Sequence, residues 1–305
     1  MIYEKCLPQV RLVRFMSDAE TIIAAAAKAT LSPRDYNSIL EKMEQKHIRE
    51  WIEELITRGH GSPLEHSLYV FEIVCSRVCS HQLVRHRHAS YSQLSQRYSD
   101  KYLRGLVEGL ARALNVEPPK THNEAVGLIK MAIEKLSYDE LVYHLCEGFI
   151  LPPRVLESRD RDFLTSLLNS VAQYYKALEE GAPYEDARYV LPQAVKTRLV
   201  VSMNARELVE VFLPLRMCSR AQWEIRLIAW SMWKQLVEAH PAIFKYTGPR
   251  CILVENRVRT RPCTLEELAK GTCSFTIERC PEKLPRNNIR ECLHNAGKGF
   301  LVYNE

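Results

Sequence analysis

The chain has 305 residues, 46% of them hydrophobic and 26% charged, enough for one large domain or two small ones around a sizeable core. Its 42 basic and 37 acidic residues leave a net charge of only +5, which excludes a polybasic arm and says little by itself for an anionic partner. The longest apolar run near the start, Ile22 to Ala27, is far short of the roughly 20 residues a bilayer span needs.

Glu4 and Lys5 interrupt the start and no cleavage pattern follows, so a cytoplasmic protein is expected. Of ten cysteines, Cys6, Cys75, Cys79, Cys146 and Cys218 stand among apolar neighbours, as buried thiols do; the other five fall in the last 55 residues. Between Arg34 and Arg58, apolar residues at Leu40, Met43, Ile48, Trp51, Ile52, Leu55 and Ile56 predict a helix that Gly59 stops. SLYVFEIVCS, 67–76, is rich in β-branched and aromatic residues and predicts a strand buried on both faces.

Arg77 to His86 returns to a helical spacing that would set Gln82, Arg85 and His86 on one face. Amphipathic helices follow over 101–148 around a break at EPPKTHN, then another from Arg159 to Glu180 with Gly181 as its stop. Pro183 suits the first position of a further helix. TRLVVSM, 197–203, predicts a second strand, and Asn204 with Glu207 has capping-box spacing. Ala221 to Ala239 is a long amphipathic helix carrying Trp223, Leu227, Trp230 and Trp233 and ended by His240 and Pro241. Beyond it lie short Pro- and Cys-bearing segments without a sustained period, which read as a tail or a small appended module.

Eleven glycines in the whole chain, none in a phosphate-loop pattern, mean that any phosphate must be held by side chains. Arginine suits that task because its planar fork donates two parallel bonds. Arg85, Arg87, Arg97, Arg188, Arg198, Arg206, Arg216 and Arg220 are available, although most arginines in proteins serve only as solvated or ion-paired surface groups. RHRHASYSQLSQRY, 85–98, is denser in Arg, His and hydroxyls than a loop beside a buried strand requires. It reads as a pocket for an anionic ligand or as a non-catalytic nucleic-acid or nucleotide binder. His60 and a second Arg-bearing block some hundred residues away favour the pocket.

That stretch resembles the RHRxxSxNxxSxR signature of the flavin-dependent thymidylate synthases, keeping Arg85, His86, Arg87, Ser90, Ser95 and Arg97. Ser92 stands where asparagine is commoner and Gln93 where glutamate often stands. HGSPLEH at 60–66, ARYVLP at 187–192 and NARELVEVFLPLR at 204–216 are similar to further blocks of the family, in the same order. The resemblance covers about 9–100 and 149–246. It implies a catalytic domain over 1–246 with a helical insertion at 101–148, expected as a surface elaboration, and a Cys-containing extension over 247–305. The implied fold is α+β, helices packed on a mixed or antiparallel sheet that includes 67–76 and 197–203.

The resemblance also implies an enzyme that methylates dUMP to dTMP, with methylenetetrahydrofolate as one-carbon donor and NADPH as reductant through bound FAD. Thr30, Ser62, Arg85, His86, Arg87, Gln93, Asn204 and Arg206 resemble the FAD-binding positions, with His60 and His86 near the isoalloxazine. Gln82, Arg85, Gln93, Ser95, Gln96, Arg97 and Arg188 resemble the nucleotide-holding set. Arg216 matches the arginine set against the pyrimidine, favouring its N3-ionised form; with His60 and His86 it makes up the expected catalytic group. One residue more than the commonest spacing between Asn204 and Arg216 predicts a local bulge near Pro214. Arg220 stands where histidine is often found, and its role is open. A homotetramer with shared sites is implied, with neither membrane nor nucleic acid as a partner.

RPC at 261–263 faintly evokes the cysteine nucleophile of the classical thymidylate synthases, but that family's other blocks are missing around Cys263. Cys251, Cys263, Cys273 and Cys280, with Cys292 spare, could hold one zinc ion. No CxxC pair supports that reading, and buried thiols or the disulfides of intracellular hyperthermophile proteins are alternatives.

Overall fold

Four strands carry the sheet of the computed structural model, which describes residues 5–301. They are β1 (Gln9–Phe15), β2 (Tyr69–Ser76), β3 (Ala89–Gln93) and β4 (Lys196–Met203), antiparallel in the order β1-β2-β4-β3, and the rest is mainly helical, an α+β fold. The inner pair are the two strands the sequence predicts. β2 differs from expectation in alternating: Tyr69, Phe71, Ile73 and Cys75 are fully buried, while Val70, Glu72 and Val74 are half-buried. That second face accommodates Glu72, whose carboxylate pairs with Arg11 of β1 at 3.2 Å. β1 and β3 are the edges, short and interrupted by polar residues that discourage further pairing.

The chain divides into two compact units. The first comprises the segment up to Gln9, Val74–Gln82 and Ser92–Leu199. Its helices Lys101–Ala113, His122–Lys135, Tyr138–Gly148 and Arg161–Glu179 share one core that includes Leu106, Leu110, Ile129, Leu145, Leu164 and Leu168. Residues 101–148 are thus helical as expected but not a surface elaboration: their apolar stripes bury against the Arg161–Glu179 helix, which would otherwise expose its own. Ser137 and Glu140 form a reciprocal capping box that starts Tyr138–Gly148. Cys6 and Cys146, expected as thiols, are joined in a disulfide, their Cα atoms 4.5 Å apart. Beside this bridge the buried Lys196 ammonium donates to the carbonyls of Lys5, at 2.8 Å, and Cys146, and burial brings its pKa down to about 8. Pro183 caps Tyr184–Ala187 from just outside rather than filling its first position.

The second unit comprises Val10–Ile73, Leu83–Tyr91 and the chain from Val200 onward. The helix expected over Arg34–Arg58 is broken into Tyr36–Leu40 and Gln45–Arg58, because Glu44 is extended (φ −82, ψ 156) and restarts it. Gly59 ends the second piece in the left-handed region at φ 70, where a glycine is favoured. Trp223–Ala239 anchors its neighbours through indole N–H bonds, from Trp230 to the Met217 carbonyl and from Trp233 to that of Phe244, both 3.1 Å.

The segment from 247 forms the helices Arg250–Arg257, Leu265–Lys270 and Arg286–Ala296. It is held by buried polar residues more than by periodicity. Asn256 donates to the carbonyls of Tyr246 and Cys263 and accepts from the Cys263 N–H, and the buried Glu255 carboxylate accepts from Thr276 and Ile277. Residues 1–4 and 302–305, at the outer ends of the two expected domains, lie outside the described residues. Among the described residues no helix is long and apolar enough to cross a membrane.

Candidate active site

The helix expected over Arg77–His86 stops at Leu83, so Arg85 and His86 leave its face and enter a turn. Tyr91 clasps that turn, its hydroxyl donating to the carbonyls of Leu83 (2.7 Å) and His86 (2.9 Å). The turn leaves Arg85, Arg87 and His88 exposed and carries the His86 ring inward, to 5% exposure.

His86 is held from both sides. Arg216 donates its Nε–H to His86 Nε2 at 3.0 Å, and His86 Nδ1 lies 2.9 Å from Glu207 Oε1. A guanidinium can only donate, so Nε2 must offer its lone pair and the ring proton must sit on Nδ1, facing the carboxylate. The imidazole is therefore neutral, with both nitrogens engaged. Phe212 packs on it edge to face at 4.9 Å. The chain Arg216–His86–Glu207 joins residues 121 and 130 positions apart.

Local structure supports that geometry. Asn204 accepts from the Glu207 N–H at 2.9 Å, half of the expected capping box; the Glu207 carboxylate goes to His86 instead. Glu207–Phe212 is a turn of π-helix, the bulge expected from the extra residue, lying just before Pro214. Proline at 214 has no N–H for the carbonyl four residues back, which favours a local widening here.

HGSPLEH forms a short turn, Ser62–Glu65, with His60 and Ser62 exposed. Arg206 fastens it by pairing with Glu65 while bonding Glu210 at 3.1 Å, and Arg257 bonds the other Glu210 oxygen at 2.9 Å. Gly61 permits this approach, since a Cβ there would stand 2.7 Å from Glu210 Oε2. Asn204, Arg206, Glu207, Glu210, Glu65 and His88 bound a cavity of about 330 Å³. Thr30 is exposed at the end of Ala19–Ala29, its hydroxyl donating to the Ala27 carbonyl.

The remaining expected residues belong to the first unit. Gln93 divides its amide between the hydroxyls of Ser80 and Thr197, each at 3.1 Å. Ser95 accepts from the Arg97 N–H at 3.2 Å. Arg97 pairs with the Glu185 carboxylate at 2.8 Å, and Arg188 donates to the Glu185 carbonyl at 3.1 Å, so the two arginines meet at one residue. Arg77 adds a third cation; burial, and then the charge of Arg188, lowers its pKa. Gln82 and Gln96 are half-buried in the same unit. A concentration of guanidinium groups with few carboxylates suits a monophosphate.

The motif reading missed the acids. Glu65, Glu185 and Glu210 pair with arginines and Glu207 with His86, and Arg77, a helix start in the sequence, adds a cation. Glu210 could have been found from its i,i+4 relation to Arg206.

The tail cysteines are not the expected metal set. Cys263 and Cys273 form a disulfide, which removes two of its four ligands.

A family described as "Thymidylate synthase complementing protein" matches residues 11–242. The chain is 43% identical to a flavin-dependent thymidylate synthase of Aeropyrum pernix, over 94% of this chain and 92% of the relative. It is 38% identical to that of Sulfurisphaera tokodaii, over 96% and 98%. In fold it is similar to the Helicobacter pylori flavin-dependent thymidylate synthase crystallised with FAD and dUMP, with a TM-score of 0.57 and 24% identity over 79% of this chain and 99% of that one.

Proposed function

The chain belongs to the flavin-dependent thymidylate synthase family, and from that membership we propose that it converts dUMP to dTMP, using methylenetetrahydrofolate, NADPH and FAD. The observation that carries the reading is the Arg216–His86–Glu207 chain, which fixes a guanidinium from behind. An arginine cannot give up its proton, so against uracil it favours the N3-ionised ring and a more nucleophilic C5. His86, bonded at both nitrogens, is a positioning residue in this reading, and its Nδ1 proton stays towards Glu207.

The donor set fits FAD. With no glycine-rich loop, two phosphates require side-chain cations, and Arg85 and Arg87 are exposed beside the turn that holds His86. When bound, the flavin supplies the hydride chemistry. The HGSPLEH turn with His60 and Ser62, together with Thr30, Asn204 and Arg206, is assigned to it; Arg206 holds the turn through Glu65. Arg97 and Arg188 are assigned to the dUMP phosphate, with Gln82, Gln93, Ser95 and Gln96 around the nucleoside.

A homotetramer with shared sites is part of the reading. Tyr98 and Tyr189, 77% and 83% exposed beside Arg97 and Arg188, are supporting observations, since large bare aromatics are usually covered in an assembly. The location is read as cytoplasmic and residues from 247 as an extension of the catalytic domain. The test is NADPH oxidation with and without dUMP, followed by product analysis with methylenetetrahydrofolate. Dependence on dUMP and formation of dTMP are expected; a colourless protein that makes no dTMP after FAD is restored defeats the reading.

A further inference from the structure

Within the second unit, a cavity of about 310 Å³ is bounded by four cysteines that no disulfide uses: Cys218, Cys251, Cys280 and Cys292. They come from four separate places in the chain. Cys218 follows Arg216 by two residues; Cys251 lies in the first turn of Arg250–Arg257; Cys280 precedes Pro281; Cys292 is in the middle of Arg286–Ala296. The remaining wall is mixed: apolar side chains such as Leu284, Ile289 and Leu293 stand beside Arg220 and Arg250 and beside Glu282 and Glu291.

Thiols gathered without bridging are a metal-ligand arrangement, particularly where a neighbouring pair, Cys263 and Cys273, is oxidised. Four thiolates gathered around one cavity would repel one another and need a cation among them.

Spacing decides which metal. Zinc with Zn–S bonds of about 2.3 Å draws its four sulfurs to within about 4 Å of each other. No three of these sulfurs lie within 4.8 Å of one another. A cubane of four irons and four sulfides stands between its thiolates, holds them farther apart and occupies a volume, which is what the cavity provides. Hydrogen bonds at the sulfurs, which steady an anionic cluster, are also in place: the Leu284 N–H donates to Cys280 Sγ at 3.3 Å and Ser219 Oγ lies 3.0 Å from Cys292 Sγ, while Arg220 and Arg250 at the wall are matched by Glu282 and Glu291.

We propose that Cys218, Cys251, Cys280 and Cys292 ligate a [4Fe–4S] cluster. Each thiol gives its proton to solvent and binds one iron through the thiolate. The cluster ties the segment behind Arg216 to the C-terminal helices, which have little core of their own.

The test uses the full chain, purified anaerobically, then reconstituted with equal amounts of ferrous and ferric iron and with sulfide, which together match the oxidation level of a [4Fe–4S] cluster before dithionite is added. Iron and acid-labile sulfide are assayed, and the dithionite-reduced protein is examined by electron paramagnetic resonance. About four iron and four sulfide per chain are expected, with a rhombic signal distinct from a flavin radical. Cys251→Ser and Cys292→Ser should lose both; Cys263→Ser, which touches only the disulfide, should keep them. Wild-type protein that holds neither iron nor sulfide after reconstitution, or that carries stoichiometric zinc instead, overturns the proposal. These readouts do not depend on thymidylate formation, so failure of the proposed function would leave the cluster standing, and the converse.

Discussion

Arg216 and His86, 130 residues apart, meet nitrogen to nitrogen at 3.0 Å, and because the guanidinium can only donate, this contact fixes the proton of His86 on the nitrogen facing Glu207. His86 of the signature is thus kept in place by a buried acid, Glu207, 3% exposed, that lies outside it.

Replacing Glu207 with Leu removes the acceptor at similar bulk and frees His86 to take its other tautomer. Loss of a charge-assisted bond of about 1.5–3 kcal/mol should lower turnover about ten- to a hundredfold. Glu207→Gln, which keeps an oxygen to accept the ring N–H, should recover most of it. Steady-state kinetics with a flavin-content check separates this from lost cofactor; equal defects in both variants would contradict the positioning role.

Glu185 should act on the nucleotide rather than on the fold. Its carboxylate pairs with Arg97 at the surface, where an ion pair adds little stability, while Arg188 bonds its main-chain carbonyl, which a substitution keeps. Glu185→Ala should raise KM for dUMP about tenfold, from the roughly 1.4 kcal/mol of a misplaced cation, with kcat and the unfolding midpoint nearly unchanged. A changed kcat with an unchanged KM would place the phosphate elsewhere.

Lys196 gives stability a pH signature. Its ordinary pKa of 10.5 falls to about 8 on folding because the ammonium is desolvated. Below pH 8 it is charged in both states and the folded chain carries the whole cost. Between about pH 8 and 10.5 the folded chain has released the proton while the unfolded chain keeps it, so stability rises by about 3 kcal/mol. The difference in unfolding free energy between wild type and Lys196→Met, from denaturant titrations across that window, should show this rise. A flat difference would contradict it.

Two disulfides predict a thiol count and an order of stabilities. Unreduced denatured protein should expose six thiols of the ten cysteines. Cys6–Cys146 spans 140 residues and Cys263–Cys273 spans 10, so Cys6→Ser should cost about 5 kcal/mol and Cys263→Ser about 3. Thermal unfolding of both variants checks the order; ten reactive thiols would mean neither bridge forms.

β2, β4 and the helix around Trp230 were legible because their apolar patterns run uninterrupted for many residues. β1 and β3 were not, being edge strands of seven and five residues broken by Arg and Ser. The break before Gln45 was invisible because the apolar period continues across it. At the site, the arginines and His86 stood in a dense local motif, and a one-residue surplus announced the π-turn before Pro214. Their acids did not stand out: Arg97 finds Glu185 at a separation of 88 residues and His86 finds Glu207 at 121, and no local spacing encodes such pairs. Cysteine pairing failed for the same reason, since sequence distance does not say which thiols the fold brings together.

The rate of dTMP formation by wild type and by Arg216→Ala, both loaded with FAD and given dUMP, methylenetetrahydrofolate and NADPH, tests the central claim most directly. Wild type should form dTMP, and the variant should form it about a hundredfold more slowly or worse while still binding flavin. No dTMP from wild type, or an undiminished rate from the variant, would contradict it.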